Sequence, residues 1–186
     1  MRFTVADLER MRVQPLDDTR YEIIDGELHV STQPHWRHQE TCDEVVHAIR
    51  TWDPDRRHGR VLSAPGVIFA PDDTAAPDIA WVSRDRFSFV VGDDGKLHAA
   101  PDLVVEVLSP GSENVRRDRE RKLDQYSRFG VREYWIIDWR AETADVHGHD
   151  GTALRLIATL HADDQLTSPL LPGFTARVGD LCAPPA

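Results

Sequence analysis

The stretch PDLVVEVLSP, residues 101–110, constrains the fold more than any other part of the chain. Leu103, Val104, Val105, Val107 and Leu108 form an apolar run closed by proline at both ends, the pattern of a buried strand. A buried strand excludes carboxylates unless something compensates their charge. This one carries Glu106 in its middle and Asp102 at its start. A second Pro-Asp pair, Pro77-Asp78, opens another apolar stretch, PDIAWVS.

The remaining pattern predicts what surrounds that strand. Thr4, three residues before Asp7, gives a variant capping box at the start of a short helix. YEIIDGELHVS alternates around Asp25-Gly26, a strong hairpin signal. From His38 to Trp52 the apolar residues Cys42, Val45, Val46, Ile49 and Trp52 share a helix face. GRVLSAPGVIFAP and APDIAWVS read as two strands joined by a turn at Pro71-Asp72-Asp73, and DDGKLHAA as a loop or a short hairpin arm. After Pro110-Gly111, Ser112 or Asn114 caps a helix running to Phe129, which Gly130 stops. REYWIIDW is a further buried strand, and Thr152 to Leu181 supply two or three more, with a turn at Pro172-Gly173. The order predicts an α/β (α+β) fold: a central mixed sheet flanked by helices, with an N-terminal hairpin and C-terminal strands.

At 186 residues, 40% hydrophobic and 29% charged, the chain suits one domain spanning 1–186. No apolar run approaches the ~20 residues of a membrane span, and MRFTVADLER lacks the core of a signal peptide. The expected location is the cytoplasm, where Cys42 and Cys182 are reduced thiols. A net charge of −10 argues against nucleic-acid binding, but RRDRERK concentrates five bases in residues 116–122.

Alternation along the strands puts Asp102, Val104, Glu106 and Leu108 on one face, and Asp78 with Ala80 and Val82 on another. If the two strands are neighbours, Asp78 and Glu106 meet near the strand ends. A divalent cation relieves the repulsion of such a pair, and magnesium suits one or two carboxylates. Asp102 reads equally well as a strand starter. On the following helix Val115, Lys122, Tyr126 and Phe129 form one stripe, flanked by Arg119 and Leu123. A lysine inside that stripe needs a counter-charge, and Glu106 is the candidate; the alternative is a lysine snorkelling at the stripe's edge. Arg116, Arg117 and Arg121 point away, toward solvent or a phosphate backbone. The nine histidines are scattered and read mostly as surface residues. His38, on the inward helix face four residues before Cys42, reads as a structural histidine, or as one that contacts substrate phosphate or caps the site. No Gly-rich phosphate loop or GxSxG elbow is present.

An Asp, then a strand bearing Glu, then a Lys resembles the PD-(D/E)XK nuclease superfamily. YEIIDGELHV, RHQ, PDIAWVS, PDLVVEVLSP and KLDQYSRFGVREYWIID, in that order, resemble the Uma-type family of restriction endonucleases from about Thr4 to the LPGF at 171–174. The resemblance implies a restriction-endonuclease-like core with Asp78 and Glu106 as metal ligands. It also implies a departure: the superfamily lysine belongs two residues after the glutamate, where this chain has Leu108. Lys122 takes its place from the following helix, as is usual in the family. Glu22 matches a family glutamate and is a second-tier candidate for the metal site; its alternative is an exposed hairpin position.

The expected activity is therefore a Mg²⁺-dependent DNA endonuclease, with Mn²⁺ able to substitute. Asp78 and Glu106 hold the metal with the backbone carbonyl of Val107, Lys122 orients the attacking water, and Arg116, Arg117 and Arg121 track phosphates. Double-stranded DNA is the expected partner, cut by a homodimer. One rival is a non-catalytic nucleic-acid- or protein-binding module on a nuclease scaffold. Another is a glycosidase-like enzyme that uses Glu106 and an Asp without metal.

Overall fold

In a computed structural model, residues 2–11, 20–31, 34–109 and 120–182 are described. In chain order they form α1 (Val5–Met11), β1 (Arg20–Ile24), β2 (Glu27–Ser31), α2 (Trp36–Trp52), β3 (Gly59–Ser63), β4 (Val67–Ala70), β5 (Asp73–Ala75), β6 (Ile79–Ser83) and α3 (Arg84–Val90). They continue with β7 (Leu103–Val107), α4 (Lys122–Arg128), β8 (Glu133–Asp138), β9 (Thr143–His149), β10 (Leu154–His161), β11 (Gln165–Ser168), β12 (Leu171–Arg177) and α5 (Val178–Cys182). The result is mixed α+β, as expected.

Six strands form the central sheet in the order β10-β9-β8-β7-β6-β3. β7 and β8 run parallel, and the other pairs are antiparallel. The parallel pair brackets the segment that contains α4, because parallel neighbours require a crossover. Both faces of the sheet are covered. On one lie α2, the β11–β12 ribbon and α5, packed on Ile79, Trp81, Leu103, Val105, Val107, Trp135 and Ile137. On the other, Ala80, Val82, Val104, Leu108, Tyr134 and Ile136 meet Tyr126 of α4 and Val67 and Ala75 of a second, four-stranded sheet ordered β2-β1-β5-β4. Double coverage explains why β7 is apolar at alternate and intervening positions alike.

Local signals act where the sequence puts them. Thr4 N–H and Oγ1 both donate to Asp7 Oδ2 at 2.8 Å, closing the cap of α1. Asp25 and Gly26 have φ of 53° and 75°, so Ile24 pairs with Glu27 across a two-residue turn. His38, Cys42, Val45, Val46 and Ile49 are the buried face of α2, and Trp52 at its end donates Nε1 to Pro172 O at 3.0 Å. Gly130, with φ 79°, follows α4 and turns the chain into β8.

Three expectations change. Residues 59–83 make four strands instead of two: β3 and β6 pair in the central sheet, and β4 and β5 leave it for the smaller one. The departure begins at Ala64, φ 45°, followed by Pro65, which has no N–H to continue a ladder. RDRFSFV forms α3, which was not foreseen. The strands after β8 begin at Thr143 instead of Thr152, and α5 ends the fold. Ser112, Asn114 and Val115, the expected start of the second long helix, lie outside the described residues, as do Arg116, Arg117 and Arg119.

Candidate active site

Glu106 is the last-but-one residue of β7, with 2% of its surface exposed, and its charge is met from α4. Lys122 Nζ donates to Glu106 Oε1 at 2.9 Å. One helical turn on, the Tyr126 hydroxyl donates to the same oxygen at 2.7 Å. The i, i+4 spacing puts both donors on one side of the helix. Lys122 therefore does not snorkel; its surface is 2% exposed. Burial, and then the negative charge of Glu106 and Glu22, hold the Tyr126 phenol well above its ordinary pKa, so it stays a proton donor.

Glu22 joins from the hairpin. It is 2% exposed, its Oε1 lies 3.1 Å from Lys122 Nζ, and it accepts the Ala76 N–H at 2.9 Å. It is thus not an exposed hairpin position. Two strands, one from each sheet, converge on the one ammonium that α4 carries: β1 and β7.

Asp78 sits immediately before β6. β6 and β7 pair Ile79 with Val105, and one further step of that register sets Asp78 across from Glu106. Asp78 Oδ2 accepts the Val107 N–H at 2.9 Å. It also lies 3.2 Å from His38 Nε2 on α2. The other ring nitrogen of His38, Nδ1, lies 3.7 Å from Cys42 Sγ, one turn along the helix. His38, Cys42 and Asp78 each offer a ligand atom within 4.8 Å of the others, and all three are buried. Sequence reasoning named His38 but missed this contact, because nothing local links α2 to the start of β6. Its signal was the i, i+4 His-Cys pair on an inward helix face.

The other candidates divide cleanly. Asp102, at the opposite end of β7 from the site, is fully buried and structural. It accepts the Ser83 N–H at 2.9 Å and pairs with Arg86 at 2.8 Å and Arg132 at 3.2 Å. Burial opposes its ionisation, but the Ser83 bond and the Arg86 guanidinium outweigh that and hold its carboxyl below the ordinary value. Arg121 is exposed and pairs with Glu27 at 2.9 Å, so part of its charge is already answered. Histidines are less uniformly superficial than expected: His38 and His147 are 3% and 7% exposed.

Among the described residues, His38, Cys42 and Asp78 bring nitrogen, sulfur and oxygen close enough together to hold a metal ion. Glu106 and Glu22 are not part of that group and lie against the Lys122 ammonium.

A family model described as "Uma2: Putative restriction endonuclease" matches residues 5–179. Among solved structures, the chain is similar to a crystal structure described as "a putative nuclease belonging to DUF820 from Anabaena variabilis ATCC 29413". The TM-score is 0.74 at 19% identity, over 97% of each chain. No curated protein matches it. The fold is thus shared with that nuclease structure, and by the family match over nearly its whole length the chain belongs to the Uma2 restriction endonuclease family.

Proposed function

We propose that the chain is a metal-dependent DNA endonuclease, and that Asp78, Glu106, Lys122 and Glu22 are its working residues. The observation that carries this reading is the buried lysine set between two buried glutamates, one strand away from Asp78. Burying such a cluster is costly, and an apolar set of similar volume would pack as well. A fold that keeps it has a use for the charges.

Asp78 and Glu106 would hold Mg²⁺, with the Val107 carbonyl beside them and Mn²⁺ able to substitute. His38 and Cys42 tilt the donor set toward softer ions such as Zn²⁺ and Fe²⁺. When bound, the ion supplies positive charge against the phosphodiester and acidifies an attacking water. The chain's own residues do the rest. The Val107 N–H and His38 fix the orientation of Asp78. Tyr126 fixes Glu106 and remains protonated while doing so. Lys122 holds an ammonium between the acids, able to turn toward charge developing on the phosphate. Glu22 sets the position of Lys122 and is itself fastened by the Ala76 N–H. Double-stranded DNA is the proposed substrate, a homodimer the proposed assembly and the cytoplasm the proposed location.

The test is nicking of supercoiled plasmid with Mg²⁺ or Mn²⁺, by the parent, Asp78→Asn and Glu106→Gln. The parent should cut only with metal, and each variant should lose cutting while keeping its circular dichroism. Cutting by both variants at the parent rate would reject the site. A net charge of −10 favours the binding-module reading, and a parent that binds DNA without ever cutting it would establish that alternative.

A further inference from the structure

Beside the acids lies an array of rings and guanidinium groups that the fold uses only in part: His35 Nδ1 caps α2 by accepting the Arg37 N–H, and Trp139 packs at the edge of the core. His35 precedes α2 and stacks on Trp36, with centroids 5.7 Å apart at 29°, and on Trp139, 5.3 Å apart at 19°. Arg37 lies 5.2 Å over the Trp36 ring and 5.9 Å over the Trp139 ring. Arg140 lies 5.9 Å over Trp139 from its own segment. Trp36 is 59% exposed, although no other residue type loses more by staying in water.

The array is attached at the site. His38, one turn into α2, reaches Asp78. Trp139 Nε1 donates to Leu108 O at 3.2 Å, two residues beyond Glu106. Whatever lies on these rings lies at the end of β7 where the acids are.

We propose that this array is a nucleobase-stacking platform, which holds an unpaired base of single-stranded or locally opened DNA beside the acids. The proposal rests on the nuclease reading for its substrate class. Its occupant follows from the chemistry. The exposed rings of the array, His35 and Trp36, can take the face of any base, and guanidinium groups beside them take base faces and phosphates alike. Arg37 has no carboxylate partner among the described residues, whereas Arg140 is paired with Asp138 at 3.2 Å. Arg37 is thus the cation available to a phosphate. A neutral sugar ring would use the rings but not the charge, and an acidic peptide would use the charge but not the flat faces. A polynucleotide with a base out of its stack uses both.

The experiment measures binding without cutting. Anisotropy of a labelled oligo(dT), and of a duplex of equal length, is followed with EDTA present for the parent, Trp36→Ala and Trp36→Phe. The parent should bind the single strand more tightly than the duplex. Trp36→Ala should weaken single-strand binding by about 10- to 100-fold and leave the duplex unchanged, with Trp36→Phe in between. Trp36 is exposed, so an unchanged melting curve is expected to accompany the loss. Equal single-strand affinity in parent and Trp36→Ala, no preference over duplex, or no binding at all would each overturn the platform. Tighter binding of oligo(U) than of oligo(dT) would overturn its assignment to DNA. The two readings fail separately: Trp36-dependent binding in a protein that never cuts keeps the platform and removes the nuclease, and cutting without any Trp36 dependence does the reverse.

Discussion

Lys122 touches two carboxylates, so the effect of removing it depends on what remains. From sequence, Lys122→Met looks mild, since methionine suits an apolar helix stripe. The contacts reverse that expectation. Without the ammonium, Glu22 and Glu106 face each other across a buried space. Lys122→Met should cost about 3–5 kcal/mol in urea unfolding, the range for breaking a buried ion pair on one side. Glu106→Gln leaves Lys122 paired with Glu22 and should cost about 1–3 kcal/mol. The double variant Lys122→Met/Glu22→Gln should recover part of the loss, and strict additivity would show that the three groups are not coupled. Cys42 offers a separate residue-scale test. If its thiol reaches an ion held by Asp78 and His38, Co²⁺ loading should give a near-ultraviolet thiolate charge-transfer band. Cys42→Ser should abolish that band. Cys182→Ser should keep it, because burial and then the charges of Glu142 and Asp138 push the Cys182 thiol up to about 12. A band that survives Cys42→Ser would place the ion elsewhere.

Among the elements, α4 is the joint between the two sheets. Gln125 Nε2 reaches Ile23 O at 3.2 Å and Thr74 O at 3.3 Å on the small sheet. Arg128 reaches Asp25 at 2.7 Å, and Phe129 stacks on Phe69 at 4.7 Å. Gln125→Ala should cost about 1–3 kcal/mol by leaving buried carbonyls unpaired, and a thermal scan with no shift would deny α4 that role. These joints also mark the limit of what was legible in sequence. Lys122 opposite Glu106 was readable, because helix period and strand alternation each fix a face. Asp25-Gly26 was readable because few dipeptides fit a two-residue turn. The pairing of Glu22 with Lys122 was not, because no periodicity relates a hairpin to a distant helix. Nor was the excursion of β4 and β5: strands of four and three residues carry too few alternations to separate from loop. α3 was missed because RDRFSFV leaves Phe89 84% exposed, so its apolar residues do not trace one buried face.

At the scale of the molecule, two buried acids away from the site bend stability with pH in opposite senses. Asp102 has a depressed carboxyl, so its contribution is complete above the ordinary 3.8 and is lost as pH falls through its lower folded value. Glu133 is raised above 4.5, because burial outweighs the bonds from Trp135 Nε1 and Ser168 Oγ. Its contribution is complete below 4.5 and disappears as pH rises through the folded value. Glu133→Gln should therefore gain on the parent as unfolding is repeated from pH 4 toward 7, and a gap independent of pH would refute the assignment. A last consequence follows from the small sheet. Beyond its apolar packing on the central sheet, it is fastened to the rest of the molecule through Lys122, Gln125 and Arg128, and the first of these is also the proposed working lysine. The sheet cannot detach while that ammonium keeps its place between the acids. In native-state hydrogen exchange the amides of β1 and β7 should therefore open as one cooperative unit, with a common free energy. No partly frayed form of this protein would then retain the proposed catalytic charges, and loss of the proposed cleavage on warming would track that single opening event.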